Sequence, residues 1–477
     1  MNEAGVILLT LVVYNAAVLG VGFWASRRNR AGADYWLGGR NLGPWVAALS
    51  AAASSSSAWT LIGVSGAAYL YGLSAAWLIP ACWSGFALNW FFVARRLRNL
   101  SRETGALSVV ELLASGAAAP WHRRLRVVGG VILILALGAY VSAQMQASGK
   151  AFTNAFGWDL RLAILAGGGI VLLYTAWGGF WSVALTDVIQ GLVMVGACVL
   201  LPLAGLVLVG GPAALADGMR ELASAASPSY MDAARGKSGL GFAALLLGMF
   251  GIALGYPGQP HVVDRFMALR AESDLARGRA IALTWAALVY AGMVLTGWCA
   301  RVALPPQADP ESAIFALSRG ALPLIGAGIA MAAVVSAIMS TVDSQLLVIG
   351  GTVARDLAPE RPGASPARGR LAVAAVGLAA MAAAMLIRES VFNTVLFAWS
   401  ALGAAFGPLL LVRLYRGPVR PGWAMAAMLT GFGVSVLWFF TPALKSRLYE
   451  LVPAFFAALL VAAWGSRTQP AGGRAAA

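Results

Sequence analysis

Charge is what this chain has least of. Among its 477 residues, Asp and Glu together number 19 and Lys and Arg 34, so charged side chains make up only 11%. Hydrophobic residues make up 60%, and the mean hydropathy is +0.77. This balance excludes an ordinary soluble globular protein, in which about 25% of residues are charged. The scarcity of charge therefore predicts a protein whose body lies in a membrane.

Cysteine and histidine are nearly absent as well. The three cysteines, Cys82, Cys198 and Cys299, are widely separated and lie within apolar stretches, which argues against a disulfide framework or a metal site. With only His122 and His261, clustered histidine chemistry is not expected. The apolar stretches also show neither a nucleophile beside a base nor a set of metal ligands. We therefore predict that the protein is not an enzyme and uses no organic cofactor.

Long apolar runs fill most of the sequence. A helix that crosses a membrane needs about 20 predominantly apolar residues, and the chain offers thirteen predicted spans. They cover residues 4–26, 43–72, 75–94, 125–147, 160–178, 188–210, 239–260, 280–303, 323–352, 371–387, 392–412, 422–440 and 449–466. The pattern predicts a single membrane body rather than several soluble domains.

The distribution of basic residues predicts the orientation of these spans. No basic region precedes the first span, and Arg27-Arg28-Asn29-Arg30 follow it, which is unlike a signal peptide and places the N-terminus outside. Counted from there, the loops expected inside hold most of the Lys and Arg residues, the richest being 95–126, and the C-terminus lies inside. These loops and contact with anionic lipid account for the formal charge of +15, so no nucleic-acid partner is expected.

Four consecutive serines, Ser54 to Ser57, interrupt the second span. A polar centre in a membrane helix is costly unless its hydroxyls and backbone carbonyls face a partner or a bound ligand. In transporters, interrupted membrane helices are where ions and substrates bind. The serine run therefore indicates a binding site near the middle of the membrane.

A second interruption occurs five spans later, at Tyr256-Pro257-Gly258-Gln259-Pro260. The prolines remove backbone donors and the glycine permits sharp dihedrals. Two interrupted helices in corresponding positions are the mark of inverted repeats with a site between them. The alternative is a loop at the membrane edge, since Asp264 and Arg265 follow soon after.

The ninth span carries the densest polar cluster, residues 336–345. Ala337, Ser340, Thr341 and Ser344 have the spacing of one helix face. Asp343 lies beside that face, and an acidic group within the membrane costs about 2.5–3.5 kcal/mol on insertion scales and is usually functional. The alternative is a small-residue face that serves only close helix packing. That alternative explains the serines, but it explains Asp343 poorly.

Five separated motifs, in order, resemble those of the sodium:solute symporter family. They are residues 34–43 (DYWLGGRNLG), the small-residue run around Ser54, and residues 178–187 (GGFWSVALTD), 255–261 (GYPGQPH) and 339–348 (MSTVDSQLLV). The resemblance extends over about residues 5–460 and is greatest to the sodium/proline symporters within the family. It implies a multi-pass protein of the bacterial-type cytoplasmic (inner) membrane that binds a small-molecule solute and Na⁺. No obligate protein partner is implied.

The resemblance also implies the architecture, an all-α membrane protein with a LeuT-like fold of two inverted five-helix repeats. The first repeat would cover residues 43–210 and the second residues 239–412. The span 4–26 would be an additional N-terminal helix, and residues 422–466 two additional C-terminal helices. Residues 467–477 would form a short cytoplasmic tail.

Matching the motifs residue by residue gives an expected main sodium site. The resemblance assigns the carbonyls of Ala53, Ser56 and Ala337 and the hydroxyls of Ser340 and Thr341 as ligands. Neutral oxygens of this kind suit sodium, which is a hard cation. A second cation position, present in some members, would involve Ser340 with Asp187, Asp343 and Ser344. For Asp187 the alternative is that it caps the start of a helix together with Thr186.

The resemblance also implies which residues contact the solute. Tyr140, Tyr256 and Pro260 match contacts of the proline symporters, and Tyr140 could otherwise be an ordinary aromatic of the membrane interface. Ser55 and Ser57 of the serine run are included with them, and so is Ile252. This chain departs from the proline symporters at two positions. Ser55 stands where they have an acid that is important for sodium use, and Ile252 stands where they have a tryptophan over the substrate.

The predicted function is therefore sodium-coupled symport of proline or a similar amino acid by alternating access. Ile252 leaves open a symporter for another solute, such as another amino acid, a monocarboxylate or pantothenate. Coupling to protons through Asp187 or Asp343 is a further alternative. A transporter-like sensor is disfavoured, because the ten residues after Arg467 offer no output domain.

Overall fold

The chain is almost entirely helical. The computed structural model describes residues 2–26, 32–175, 179–225, 227–357, 366–387 and 389–467. The helices of the first half are α1 Glu3–Ser26, α2 Gly32–Leu37, α3 Pro44–Ser55, α4 Val64–Tyr71, α5 Leu78–Ala87, α6 Ala94–Thr104, α7 Val109–Ala114, α8 Ala119–Phe156, α9 Leu160–Thr175, α10 Phe180–Val209 and α11 Pro212–Ala225. Within the described ranges the structure contains no strand, only one isolated bridge between Leu42 and Leu269.

The second half repeats this pattern of long apolar helices joined by short ones. Its helices are α12 Gly239–Leu254, α13 Pro260–Met267, α14 Leu275–Ala303, α15 Ala313–Ala321, α16 Leu324–Gly351, α17 Pro366–Ala384, α18 Val391–Arg416, α19 Pro421–Phe439, α20 Pro442–Lys445 and α21 Leu451–Arg467. Several of these helices are joined by short 3₁₀ or π-helical turns, which are not numbered.

Each predicted span contains helix among the described residues, although Ser56 and Ser57 interrupt the second span and residues 176–178 of the fifth lie outside the described ranges. Among the described residues, nine helical segments are long and apolar enough to cross a membrane, and two shorter apolar helices, 160–173 and 451–466, accompany them. The prediction of an all-α membrane protein is therefore confirmed. The basic run after the first span, Gly178 of the third motif and the tail beyond residue 467 lie outside the described residues.

The first predicted interruption is present, and side chains satisfy its freed backbone groups. Helix α3 ends at Ser55, and Ser56 leaves helical geometry with φ −110° and ψ 81°. The N–H of Ala58 donates to Gln144 Oε1 at 3.0 Å, and the N–H of Trp59 donates to Ser57 Oγ at 3.1 Å. These bonds replace intrahelical ones that the break removes, which is the condition for irregular backbone at membrane depth.

The second interruption lies between α12 and α13. A 3₁₀ turn covers Tyr256–Gly258, Gln259 is extended, and α13 begins at Pro260, where the missing N–H costs nothing. A Cβ on Gly258 would lie 2.7 Å from the Cα of Gly403 in α18, so only glycine permits this backbone approach. Residues 256–267 are all buried, which contradicts the alternative of a loop at the membrane edge.

The two interruptions face a common core. Helix α16 packs against α3, α8 and α10, and α14 packs against α3, α4 and α10. Helix α18 covers the second interruption and joins it to α8, α19 and α21. Helix α1 lies on the outer side of α10 and α16. The core therefore brings the end of α3, the 256–260 turn and the polar face of α16 together.

Candidate functional site

Serine and threonine hydroxyls of α16 contact the backbone carbonyls at the end of α3. Ser340 Oγ donates to the carbonyl of Ala53 at 3.1 Å and to that of Ala337 at 3.4 Å. Thr341 Oγ1 donates to the carbonyl of Ser54 at 3.2 Å. All five residues are buried. The structure thus brings together four of the five expected sodium ligands and adds Ser54, which sequence reasoning did not select as a ligand.

The remaining expected ligand, Ser56, lies directly beyond the end of α3. Its N–H donates to the carbonyls of Ala52 at 3.0 Å and Ala53 at 3.2 Å. The cluster consists of neutral oxygens only, so a monovalent cation would bring the only charge to it. Hydroxyl groups that now donate to carbonyls have two lone pairs and rotate freely, so they also serve as ligands to a cation.

Below this cluster lies a buried ion pair between α10 and α13. Asp187 Oδ2 accepts from Ser50 Oγ at 2.6 Å, from Ser54 Oγ at 3.2 Å and from Arg265 Nη2 at 3.2 Å. The same Arg265 nitrogen donates to Ser344 Oγ at 2.5 Å. Both charged side chains are at most 1% exposed. Four helices, α3, α10, α13 and α16, therefore meet in one charged network.

The residues expected at a second cation position meet in this network. Asp343 Oδ1 accepts from Ser344 Oγ at 3.4 Å. Asp343 Oδ2 and Asp187 Oδ1 are buried and have no hydrogen-bond partner among the described residues. The helix-cap alternative for Asp187 is wrong, because α10 already begins at Phe180. Sequence reasoning missed Arg265, which it treated only as a sign that the membrane segment was ending.

A small aromatic pocket lies between the two interruptions. Its volume is about 10 Å³, enough for about one water molecule, so its walls must separate to admit a solute. The residues that line it are Ser55, Trp59, Tyr140, Ile252, Tyr256, Tyr290, Val395, Leu396 and Trp399. Among them are four of the six residues expected to contact the solute.

The other two expected contacts lie outside the wall of this pocket. Ser57 accepts from the Tyr140 hydroxyl at 3.3 Å and so supports the wall from behind. Pro260 lies at the first turn of α13, beyond the extended Gln259. The alternative of an interfacial aromatic is wrong for Tyr140, which is 1% exposed.

Helix α18 supplies an indole that sequence reasoning missed. Trp399 Nε1 donates to the carbonyl of Ile252 at 3.1 Å, and its ring meets that of Tyr256 edge-on at 4.8 Å between centroids. The hydroxyls of Tyr256 and Tyr290 are 3.3 Å apart. The pocket therefore retains an aromatic wall although Ile252 itself is aliphatic. No local pattern distinguishes these aromatics from ordinary core residues.

A comparison with known protein families identifies the family of this chain. The sequence model of the Sodium:solute symporter family matches residues 35–431, most of the chain. The chain belongs to the sodium:solute symporter family. Family membership makes this symporter a transporter rather than an enzyme, with Na⁺ as the coupling ion.

Several relatives of this symporter are proline transporters. It is 34% identical over 451 residues to the high-affinity proline transporter PutP of Bacillus subtilis, which covers 92% of this chain and 93% of the relative. It is 33% identical over 466 residues to the osmoregulated proline transporter OpuE of the same organism, and the match covers 95% of this chain and 93% of the relative. A sodium/proline symporter of Staphylococcus aureus is 31% identical over 475 residues, and the match covers 95% of this chain and 91% of the relative.

Solved structures show the same fold. A Na⁺-coupled sialic acid symporter in a substrate-bound, outward-open state superposes with a TM-score of 0.79 over 98% of both chains, at 19% identity. A manganese transporter of Eremococcus coleocola gives a TM-score of 0.54 at 16% identity, with 89% of this chain and 94% of that chain covered. Structural matches at such low sequence identity are evidence for the fold and not for the function. They confirm that the symporter has the helix arrangement of LeuT-like transporters.

One glycine of the symporter offers a direct test of the pocket. A Cβ on Gly85 in α5 would overlap the ring of Tyr256. Overpacking of this kind costs about 1–3 kcal/mol, so Gly85→Ala should raise the KM for solute by about tenfold or more. The sodium concentration for half-maximal uptake should change less than about twofold. Uptake kinetics at fixed and varied sodium would measure both effects.

Gly138→Ala in α8 is the matched control, since nothing lies within 4 Å of a Cβ there. It should leave both constants at the values of the unaltered protein. If Gly85→Ala left the KM for solute unchanged, Tyr256 would not be part of the solute site.

Proposed function

We propose that this symporter imports L-proline, or a closely similar amino acid, by coupling its uptake to the inward movement of Na⁺. The observation that supports this most strongly is the 31–34% identity, over more than nine-tenths of both chains, to three transporters whose names specify proline. The aromatic pocket is consistent with it, since proline presents an apolar ring that packs against aromatic walls.

Within this proposal, Na⁺ is held by the carbonyls of Ala53, Ser56 and Ala337 and the hydroxyls of Ser340 and Thr341. The support is that α16 already contacts the end of α3 through these two hydroxyls. These hydroxyls join the two helices by hydrogen bonds. A bound cation would attract the same oxygens from both sides, and so would fix the interrupted helix in one conformation.

The second cation position at Asp187, Asp343 and Ser344 is also part of the proposal. Its support is the two buried carboxylate oxygens, Asp187 Oδ1 and Asp343 Oδ2, that have no partner among the described residues. Arg265 engages the opposite oxygen of Asp187, so it neutralises part of the charge without using these acceptors. The proposed position lies one helical turn from the main sodium site along α16.

The placement of the pocket between the two interruptions supports transport by alternating access. Ion binding would stabilise the solute-competent shape of α3, and closure of one side would precede opening of the other. One sodium ion moving through 100 mV provides about 2.3 kcal/mol, and a tenfold sodium gradient about 1.4 kcal/mol. The sum supports accumulation of a neutral solute by a few hundred-fold.

We further propose the full membrane topology that the spans predicted, with thirteen helices in a bacterial inner membrane. The N-terminus would lie outside and the C-terminus inside. The support is the bias of basic residues toward one set of loops. Residues 43–210 and 239–412 would form the two inverted repeats, since the α3 interruption opens one segment and the 256–260 turn the other.

A second candidate is a symporter of the same kind for a different carboxylate-bearing solute. Ile252 favours it, because this residue lines the pocket and its branched side chain sets a shape unlike that of an indole. Other amino acids, monocarboxylates and pantothenate are the solutes to compare.

The test is uptake by the purified protein in liposomes under an imposed sodium gradient. L-proline should accumulate in a saturable manner that requires sodium, and other labelled amino acids and small acids should compete weakly or not at all. Proline uptake that is absent, or that persists when sodium is replaced by potassium, would overturn the proposal. Sodium-driven uptake of another acid in the panel would select the second candidate.

A further inference from the structure

A cavity of about 50 Å³ lies where two connections of the proposed inner face meet. One wall is the turn between α7 and α8, which includes Ser115 and Ala117, and the other is the connection from α18 to α19, which includes Arg413 and Pro421. The volume is roughly four times the space that one water molecule needs, so a group as small as a phosphate has room there. We call this space the inner cavity.

The two segments that form the inner cavity carry charge of one sign only. Residues 113–125 and 409–424 contain no Asp or Glu, and they contain five arginines: Arg123, Arg124, Arg413, Arg416 and Arg420. Within the part of the chain that the structure describes, none of the five forms an ion pair with a carboxylate. The cavity and its rim therefore hold a local excess of positive charge.

Arg413 is the arginine that lines the cavity itself, whereas the other four are exposed. Its Nη2 donates to Ser115 Oγ at 3.2 Å, and its Nε is buried without a hydrogen-bond partner among the described residues. The excess of basic residues in inner loops explains the exposed arginines. It does not explain a guanidinium that is partly removed from water with no opposite charge beside it, which costs free energy. An anion in the cavity would supply the missing charge.

The starts of two long helices add to the positive field. Helix α8 begins at Ala119 and α19 at Pro421, and neither start is capped by a side-chain hydrogen bond. The N–H groups of a first turn lack intrahelical partners and lie at the positive end of the helix dipole, an arrangement that binds phosphate. Ala117 and Pro421 both line the cavity, so both helix starts adjoin it.

The neighbouring side chains place the inner cavity at the level of lipid headgroups. Trp423, in the first turn of α19, is 37% exposed, and such aromatics mark the membrane interface. On α8, Leu125 lines the cavity, and Val127, Val131 and Leu135 follow it as an exposed apolar stripe with the spacing of one helix face. The stripe runs from the cavity toward the middle of the membrane, as the acyl chain of a lipid does.

We propose that the inner cavity binds the phosphate group of an anionic phospholipid from the inner leaflet. Arg413 would bind the phosphate, because Ser115 engages only one of its five donors. The two helix starts would assist, and the exposed arginines at the rim would repel lipids that carry a cationic headgroup. A bound phosphate would join α8 to the end of α18, the helix that also supplies Trp399 to the solute pocket. The site does not depend on which solute is transported.

Lipid retained by the purified protein tests the site directly. The probes are phosphatidylglycerol and phosphatidylcholine with identical acyl chains, added to the protein in a neutral detergent and counted by native mass spectrometry. Both carry a phosphate, but phosphatidylcholine adds a quaternary ammonium group that cancels its charge. Phosphatidylglycerol should bind with at least about tenfold higher affinity. Equal retention of the two lipids would overturn the proposal.

Arg413→Gln should lower the affinity for phosphatidylglycerol by about tenfold or more, because it removes a charged donor from the cavity. Arg370→Gln is the matched control, since this exposed arginine of α17 lies on the same proposed face but outside the cavity wall. It should change the affinity by less than about twofold. Equal losses in the variant and the control would show only a general effect of surface charge and would overturn the site.

Ala117→Glu tests the same cavity without removing Arg413. Its carboxylate would take the place of the lipid phosphate beside the guanidinium, so the preference for phosphatidylglycerol should disappear. Because the substituted residue lies in a turn, the thermal inactivation midpoint in lipid-free detergent should stay at that of the unaltered protein. An undiminished preference for phosphatidylglycerol in this variant would show that the lipid binds elsewhere.

Thermal inactivation distinguishes a lipid from a soluble phosphate. Phosphatidylglycerol should raise the midpoint of the unaltered protein, since a ligand of the folded state stabilises it, and should not raise that of Ala117→Glu. Inorganic phosphate at millimolar concentration should neither raise the midpoint nor displace the lipid. If it did both, the cavity would be a site for a soluble anion and the lipid proposal would be wrong.

These measurements also stand apart from the proposed function. If liposomes take up no proline while the protein still prefers phosphatidylglycerol, the proposed solute is wrong and the lipid site stands. If sodium-driven proline uptake is present while both lipids are retained equally, the proposed function stands and the lipid site is wrong.

Discussion

Replacement of both Ser340 and Thr341 by alanine will raise the sodium concentration for half-maximal solute uptake by at least about tenfold. Each substitution deletes an oxygen that now joins α16 to the carbonyls of Ala53 and Ser54. A bond to a charged group contributes about 1.5–3 kcal/mol, so each loss corresponds to a factor of about ten or more in affinity. Initial uptake rates in liposomes, measured over a range of sodium concentrations, give this quantity directly.

Ser336→Ala provides the matched control on the same helix. Its hydroxyl is equally buried but bonds the Tyr14 hydroxyl at 2.5 Å and the carbonyl of Ala332, away from α3. It should leave the sodium dependence within about twofold. An unchanged sodium dependence in the double variant would reject Ser340 and Thr341 as ligands. Equal changes in the variant and the control would point to damage to α16 as a whole.

Arg265→Met will be the most destabilising substitution in the polar core. It leaves the Asp187 carboxylate buried beside Ser50 and Ser54 with no opposite charge. Breaking a buried pair from one side costs about 3–5 kcal/mol. The variant should lose most of its folded yield, and its thermal inactivation midpoint in detergent should fall well below that of the unaltered protein.

Asp187→Asn in the same chain should recover at least half of that loss. The asparagine cannot carry the unpaired charge, and its amide still bonds the serine hydroxyls. Arg220→Met is the control for an exposed pair, where the Asp217 partner is 72% exposed and the expected cost is below about 1 kcal/mol. A double variant no more stable than Arg265→Met alone would show that the guanidinium acts through packing rather than charge.

The positions of both helix interruptions could be predicted from the sequence because their causes are local. Pro257, Gly258 and Pro260 prevent regular helix by their own covalent structure. The spacing of Ser340 and Thr341 places them on one face of a helix whatever else surrounds it. Both inferences survive in the structure because neither depends on a distant residue.

Other parts of the site depend on contacts between segments that are far apart in the sequence. No local sequence pattern indicates which of these segments meet. Arg265 lies shortly after the second interruption, whereas its partner Asp187, on α10, is 78 residues away in the sequence. Trp399 supplies an indole to the pocket wall from a helix that sequence reasoning had not connected to the pocket. Tyr290 of α14 and Trp59 of the π-helical turn Trp59–Gly63 resemble ordinary core residues in the sequence, and only the folded structure shows that they line the pocket.

The crossing of the 256–260 turn and α18 also limits how this protein can evolve. A Cβ on Gly258 would lie 2.7 Å from the Cα of Gly403, and a Cβ on Gly403 would lie 2.7 Å from the Cα of Gly255. Backbone atoms cannot rotate away as side chains do. Substitutions that change solute preference are therefore confined to side chains around the crossing, among them Ile252 and Trp399, which line the pocket. The backbone at the crossing is held by close contact, and the surrounding side chains can change solute preference without altering the fold.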